Sequence, residues 1–145
     1  MNTIINTKQS TIMNPKQKNI HFDSPFANMS LQERLNYSKK LIENYQGCIP
    51  IILTKRKDDK ILQDINKKKY LIPKNLNLTD FLCIIRRKIN LTEVQAIFLF
   101  IVIHTGTTIT TILVPHNRTF EELYSEYRSD DNFLYMVYTT ENTFG

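Results

Sequence analysis

Apolar residues recur along this chain with two different periods. Leu31, Leu35, Leu41, Ile42 and Tyr45 fall at helical spacing. Ser30-Leu31-Gln32-Glu33 precedes and enters that run as a capping box, in which Ser30 and Glu33 satisfy each other's free backbone donors, and Gly47 supplies a stop. These signals predict an amphipathic helix over about 31–45, one face of which must pack on something. Ile49-Pro50-Ile51-Ile52-Leu53-Thr54 reads as a strand with a free edge near its start, because Pro50 cannot donate to a ladder. Lys55 to Lys60 reads as a charged turn and Ile61 to Ile65 as a second strand, after which Lys67-Lys68-Lys69-Tyr70-Leu71-Ile72-Pro73 leads to Leu76. Asn77 or Thr79 then caps a helix carrying Phe81, Leu82, Ile84, Ile85 and Ile89, with Arg86, Arg87 and Lys88 at the end of the helix dipole that favours cations.

The run from Ala96 to Ile103 is apolar on both alternating faces: Ile97, Leu99, Ile101 and Ile103 point one way, Phe98, Phe100 and Val102 the other. Such a strand is covered on both sides. The helix near 78–89 is the expected cover for one face and the helix at 31–45 for the other. Thr119-Phe120-Glu121-Glu122 is a second capping box, opening a short helix to about Tyr127, and Phe133 to Tyr138 is a last strand. Residues 1–21 are polar and without period and read as a disordered arm; Phe22, Pro25 and Phe26 then seed a short helical turn or dock on the domain. Residues 22–145 make one domain, with 139–145 as a C-terminal tail. Two strands, a crossover helix and further strands on one mixed sheet make an α+β protein with the β-grasp order of ubiquitin-like folds. The additional N-terminal helix would cover the sheet's second face.

Charge changes this picture in one respect. The net charge of +5 is uneven: residues 1–90 carry 17 Lys and Arg against 7 Asp and Glu, residues 91–145 carry 2 against 7. A basic half suits an anionic partner or is simply a solvated face. The longest apolar run is far shorter than the roughly 20 residues that cross a bilayer as a helix, so a membrane role requires a surface contact or an attached lipid. Cys48 and Cys83 do not make a disulfide framework. Cys83, within an apolar helical stripe, reads as a small core residue. Cys48 with His104 or His116 is in principle a nucleophile–base pair, but no metal-ligand spacing or phosphate-cradling glycine loop accompanies it. The chain is therefore not read as an enzyme, nor as a holder of a metal or resident cofactor.

Lys67-Lys68-Lys69-Tyr70-Leu71-Ile72-Pro73, Phe81, Ile85-Arg86-Arg87-Lys88-Ile89, Ala96-Ile97-Phe98-Leu99-Phe100, Phe133-Leu134-Tyr135 and Glu141-Asn142-Thr143-Phe144-Gly145 follow one another in an order that resembles the GABARAP-type modifiers of the autophagy-related protein 8 family. The similarity runs from about Ser30 to Gly145. It implies a ubiquitin-like modifier whose terminal glycine, here Gly145, is exposed by a processing and deconjugating cysteine protease. An activating enzyme then adenylates it, and a conjugating enzyme transfers it to phosphatidylethanolamine. Glycine suits that passage because it lacks a Cβ. The resemblance also implies docking of adaptor and cargo-receptor peptides, an aromatic residue followed three positions later by an aliphatic one, as an added strand on the edge of the second strand. Carried over by position, Leu41, Pro50, Lys69, Leu71 and Phe133 form the first pocket. Tyr70, Ile72, Pro73, Leu76, Phe81 and Ile84 form the second. Lys67, Lys69 and Lys88 meet acidic residues of the peptide. A cytoplasmic protein that resides on autophagosomal membranes when lipidated follows from the same resemblance.

The chain departs from that family at Tyr37, where Glu is usual, at Cys48, where Arg is common, at Thr92-Glu93-Val94, and above all over His104 to Asn117, a Thr-rich insertion. Its composition favours extended structure, with His104-Thr105-Gly106-Thr107 as a hairpin turn. Two other readings compete: a modifier joined to a protein lysine, and a basic nucleic-acid-binding module. The second lacks a recognisable stacking motif, and nucleic acid is not an expected partner.

Overall fold

A computed structural model describes residues 25–91 and 95–141. The arm at 1–21, Phe22, the Thr92-Glu93-Val94 departure and the ending from Asn142 to Gly145 lie outside them. Ser30 opens α1 (Leu31–Asn44) through the expected capping box, with Glu33 N donating to Ser30 Oγ at 3.1 Å and Ser30 N donating to Glu33 Oε1 at 3.2 Å. Its inward face differs from the expected one. Tyr37, Ser38 and Leu41 face the sheet, whereas Leu31 and Tyr45, at the two ends, are exposed. Ser38 is tolerated in the core because its hydroxyl donates to the Leu35 carbonyl at 3.0 Å.

After Gly47, held at φ +86°, β1 (Cys48–Lys55) enters the centre of the sheet. Its pairing with the last strand begins only at Ile51, so the N–H missing from Pro50 removes no ladder bond there.

The segment Ile61–Ile65 is not the second strand; that strand is β2 (Lys69–Pro73). The reason is Asp59. Its carboxylate accepts from both Ile61 N and Leu62 N at 2.9 Å, which turns the chain, and Leu62 and Ile65 then plug the core at a spacing that does not alternate. Asn77 caps α2 (Leu78–Lys88), accepting from Asp80 N at 2.9 Å, and Phe81 and Ile85 of that helix are fully buried. Cys83 is exposed rather than part of the apolar stripe.

β3 (Phe98–Thr105) and β4 (Thr108–Leu113) form the hairpin expected from the Thr-rich insertion. Gly106, at φ +60°, takes the first central position of its two-residue turn, a backbone conformation that strains residues with a side chain. The second capping box, Thr119 with Glu122, opens α3 (Phe120–Tyr127), and β5 (Leu134–Thr139) closes the chain. The strand order is β2-β1-β5-β3-β4, with β1 and β5 parallel at the centre and the other pairs antiparallel. This is the β-grasp arrangement.

The division of β3 is as expected. Leu99 and Ile101 join Phe81, Ile85, Phe120 and Leu123 on the face covered by α2 and α3. Phe100 and Val102 join Tyr37, Leu41, Phe133 and Val137 under α1. No helix among the described residues is long and apolar enough to cross a membrane.

His104, half-buried on β3, stacks edge-on against Tyr135 with ring centroids 5.6 Å apart. Burial pushes its pKa down, Asp131 and Asp130 oppose that shift, and Arg34 adds to it. The folded protein therefore holds the imidazole neutral where the unfolded chain would protonate it. Stability is full above the ordinary histidine pKa of about 6.5 and falls as pH drops through that value toward the lower folded one. Thermal unfolding at stepped pH should show this loss as pH falls through about 6.5, the ordinary histidine value, and His104→Gln should flatten it.

Candidate functional site

β2 is an edge strand, and the ladder shows which of its backbone groups are free. Leu53 N donates to Lys68 O at 2.8 Å and Lys74 N to Gly47 O at 2.9 Å, both within the β1–β2 register. In an antiparallel ladder bonded pairs alternate, so Tyr70 and Ile72 bond to β1 while the backbone groups of Lys69 and Leu71 point outward. Pro73 also lies on the outward side, where its missing N–H breaks no bond.

Side chains alternate in the same way. Tyr70 and Ile72 join the cluster under α2, where Phe81 is fully buried and Leu76 and Ile84 are half-buried at the margin. Lys69 and Leu71 face the α1 side, with Pro50 opposite Leu71 and with Leu41 and Phe133 in the cluster there. The two sets of residues are thus brought together on opposite faces of one free edge. Pro73 is the exception: alternation places it with Leu71 rather than with Ile72, and it is exposed at the strand end.

The lysines differ in setting. Lys69 is half-buried, its Nζ 5.5 Å from the Tyr37 ring centroid and 5.7 Å from that of Phe26, and burial lowers its pKa. Lys67 is exposed with its Nζ 5.2 Å from the Tyr70 ring centroid. Lys68 is engaged by Asp64 at 3.3 Å. Lys88 ends α2, exposed.

A family model described as "Autophagy protein Atg8 ubiquitin like" matches residues 33–145. The chain belongs to the Atg8 family. It is 38% identical over 116 residues to autophagy-related protein 8 of Schizosaccharomyces pombe, a match covering 80% of this chain and 88% of that protein. It is 36% identical over 115 residues to autophagy-related protein 8a of Arabidopsis thaliana, covering 79% and 87%, and 35% identical over 116 residues to autophagy-related protein 8B of Oryza sativa subsp. indica, covering 80% and 90%. These matches establish the family without separating its GABARAP-type branch.

Within this Atg8-family chain the sequence pattern understates two residues. Phe26 is only 3% exposed and lies against Phe133, with ring centroids 4.8 Å apart, and against Tyr37 at 5.9 Å. The only local signal for it was an aromatic after Pro25 in otherwise polar sequence. Asp59, 7% exposed, grips the far end of the sheet. Besides Ile61 and Leu62 it accepts from Thr139 Oγ1 at 2.9 Å, Thr140 N at 2.7 Å and Thr140 Oγ1 at 2.8 Å. Burial alone would raise its pKa, but these bonds outweigh burial and hold the carboxyl well below the usual carboxylate range. Thr139 is therefore buried in β5, and the tail expected from 139 onward is still held at Thr140. Arg56 adds ion pairs to Asp58 at 2.6 Å and Glu141 at 3.2 Å.

Proposed function

We propose that this protein acts in autophagosome formation as a modifier joined through Gly145 to phosphatidylethanolamine, and that the free edge of β2 docks short peptides of cargo receptors and adaptors. The observation that carries the docking reading is the placement of two apolar groups on opposite faces of one unpaired edge. Side chains of an extended peptide alternate, so residues three apart point to opposite faces. An aromatic-x-x-aliphatic segment added beside Lys69 and Leu71 thus presents one anchor to the α1 side and the other to the α2 side. Lys67, Lys69 and Lys88 suit acidic residues in its flanks. Conjugation rests on the family and on the matching ending Glu141-Asn142-Thr143-Phe144-Gly145. It makes the activating and conjugating enzymes and the processing protease partners, and takes a cytoplasmic protein to the autophagosomal membrane.

Calorimetric titration with an acid-flanked aromatic-x-x-leucine peptide tests the docking. Leu71→Ala combined with Ile84→Ala should weaken binding by about 2–3 kcal/mol, the lower part of the range for truncating buried aliphatics, because both are half-buried. Circular dichroism should show the double variant folded. An unchanged affinity would remove the two-sided edge. Affinity should also fall with salt, as the Debye length shrinks from about 10 Å at 0.1 M to about 3 Å at 1 M. A flat salt response would leave the lysines as ordinary surface.

A further inference from the structure

The site on the α1 side of β2 already holds an aromatic ring. Phe26 lies against Phe133 and Tyr37 with Lys69 Nζ over its face, and it is almost fully buried. Lys69 and Phe133 line the α1 side of the docking edge, the side whose rings Tyr37 and Phe133 suit the peptide's aromatic anchor. The segment carrying Phe26 does not continue the sheet. It is a turn, closed by Met29 N donating to Phe26 O at 3.0 Å, and among the described residues β2 pairs with β1 alone. Met29 packs in the same cluster as Phe26, so the group formed by Tyr70, Ile72, Leu76, Phe81 and Ile84 is left uncovered by this segment.

The turn is tethered by polar links at Met29. Arg34 Nη1 donates to Met29 O at 2.8 Å, and Arg34 Nε donates to Asp131 Oδ2 at 2.9 Å. Asp131 is in turn bonded by Tyr135 Oη at 2.6 Å and Phe133 N at 3.0 Å. The tether holds Met29, while Phe26 is retained by ring packing and by the lysine over its face. If the turn carrying Phe26 lifts away as a unit, the Met29–Phe26 bond opens while the β1–β2 ladder stays intact.

We infer that Phe26 is a built-in occupant of the aromatic pocket, and that an incoming peptide seats its aromatic anchor only by displacing it. This rests on the docking reading above. The chain then exists as a closed form with Phe26 in place and an open form competent for the aromatic anchor. The measured affinity is the intrinsic affinity reduced by the open fraction. The edge and the α2-side group stay available in both forms, so the peptide's aliphatic anchor and backbone can engage before Phe26 leaves.

Two measurements test this with the full chain and the same acid-flanked aromatic-x-x-leucine peptide. Calorimetry should show Phe26→Ala binding at least about ten-fold more tightly than the parent, because removing the occupant removes the closed form. Amide exchange on the unaltered parent requires no folded variant: saturating peptide should speed exchange at Met29, whose N–H bonds to Phe26 O. Equal or weaker binding by folded Phe26→Ala overturns the displacement while leaving docking in place, and unchanged or slower exchange at Met29 with peptide bound overturns departure of the whole turn as its route. Failure of both the parent and folded Phe26→Ala to bind the peptide overturns the docking reading and the displacement with it.

Discussion

Asp59→Ala is expected to lower stability by about 3–5 kcal/mol. A net hydrogen bond to a charged group contributes about 1.5–3 kcal/mol, and buried donors left without an acceptor add their desolvation cost. Asp59 accepts from the backbone of Ile61, Leu62 and Thr140 and from the hydroxyls of Thr139 and Thr140. Its removal takes away the acceptor of the buried Thr139 hydroxyl proton, leaving only the bond that hydroxyl accepts from Glu141 N, and frees both the loop after β1 and the root of the tail. Asp59→Asn should fall between, since its amide keeps one acceptor oxygen but turns a nitrogen toward donors. The pH dependence has a definite sign. The folded pKa is depressed, so the stabilisation is present above the ordinary Asp value of about 3.9 and is lost as pH falls below it toward the folded value. Urea unfolding at pH 7 and at stepped acid pH reads both effects. A loss under about 1 kcal/mol, with the acid dependence unchanged in Asp59→Asn, would contradict this role.

The contacts of Asp59 also show where the sequence becomes hard to read. The two capping boxes are local, and both appear in the structure at Ser30 and Thr119. The double alternation in β3 is equally local and assigns each residue to its face. Asp59, by contrast, bonds residues 80 and 81 positions away, and nothing within the charged turn reveals that. The apolar Ile61 and Ile65 therefore suggest a strand where the chain in fact bends. Polar residues buried with satisfied hydroxyls mislead in the same way: Ser38 lies in the core while Leu31 and Tyr45 of the same helix face solvent. The edge site entered the reading through the family resemblance carried by Lys67 to Pro73, and alternation along β2 sets Tyr70 and Ile72 on one face and Lys69 and Leu71 on the other. Phe26 was legible only as an aromatic with reason to dock. Its neighbours Phe133 and Lys69 come from distant strands.

The central claim is conjugation through Gly145, for which the expected effect is complete loss. Gly145 lies beyond Glu141, the last residue described. Deletion should abolish the conjugate, with the unfolding midpoint measured alongside to confirm a folded domain. Gly145→Ala should be nearly as damaging, since the carboxyl must thread a narrow approach to an attacking thiolate and a methyl group hinders it. Once attached, a phospholipid with two acyl chains contributes about 0.8 kcal/mol for each buried methylene, enough to hold the protein on a bilayer.

The decisive measurement is flotation after incubation of the chain ending at Gly145 with the activating and conjugating enzymes of the Atg8 system, ATP and phosphatidylethanolamine liposomes. The parent should float with the vesicles as a lipid conjugate, and the folded Gly145 deletion should remain at the bottom of the gradient. A deletion variant that floats as well as the parent, or a parent conjugated only to protein, would contradict lipid attachment through Gly145.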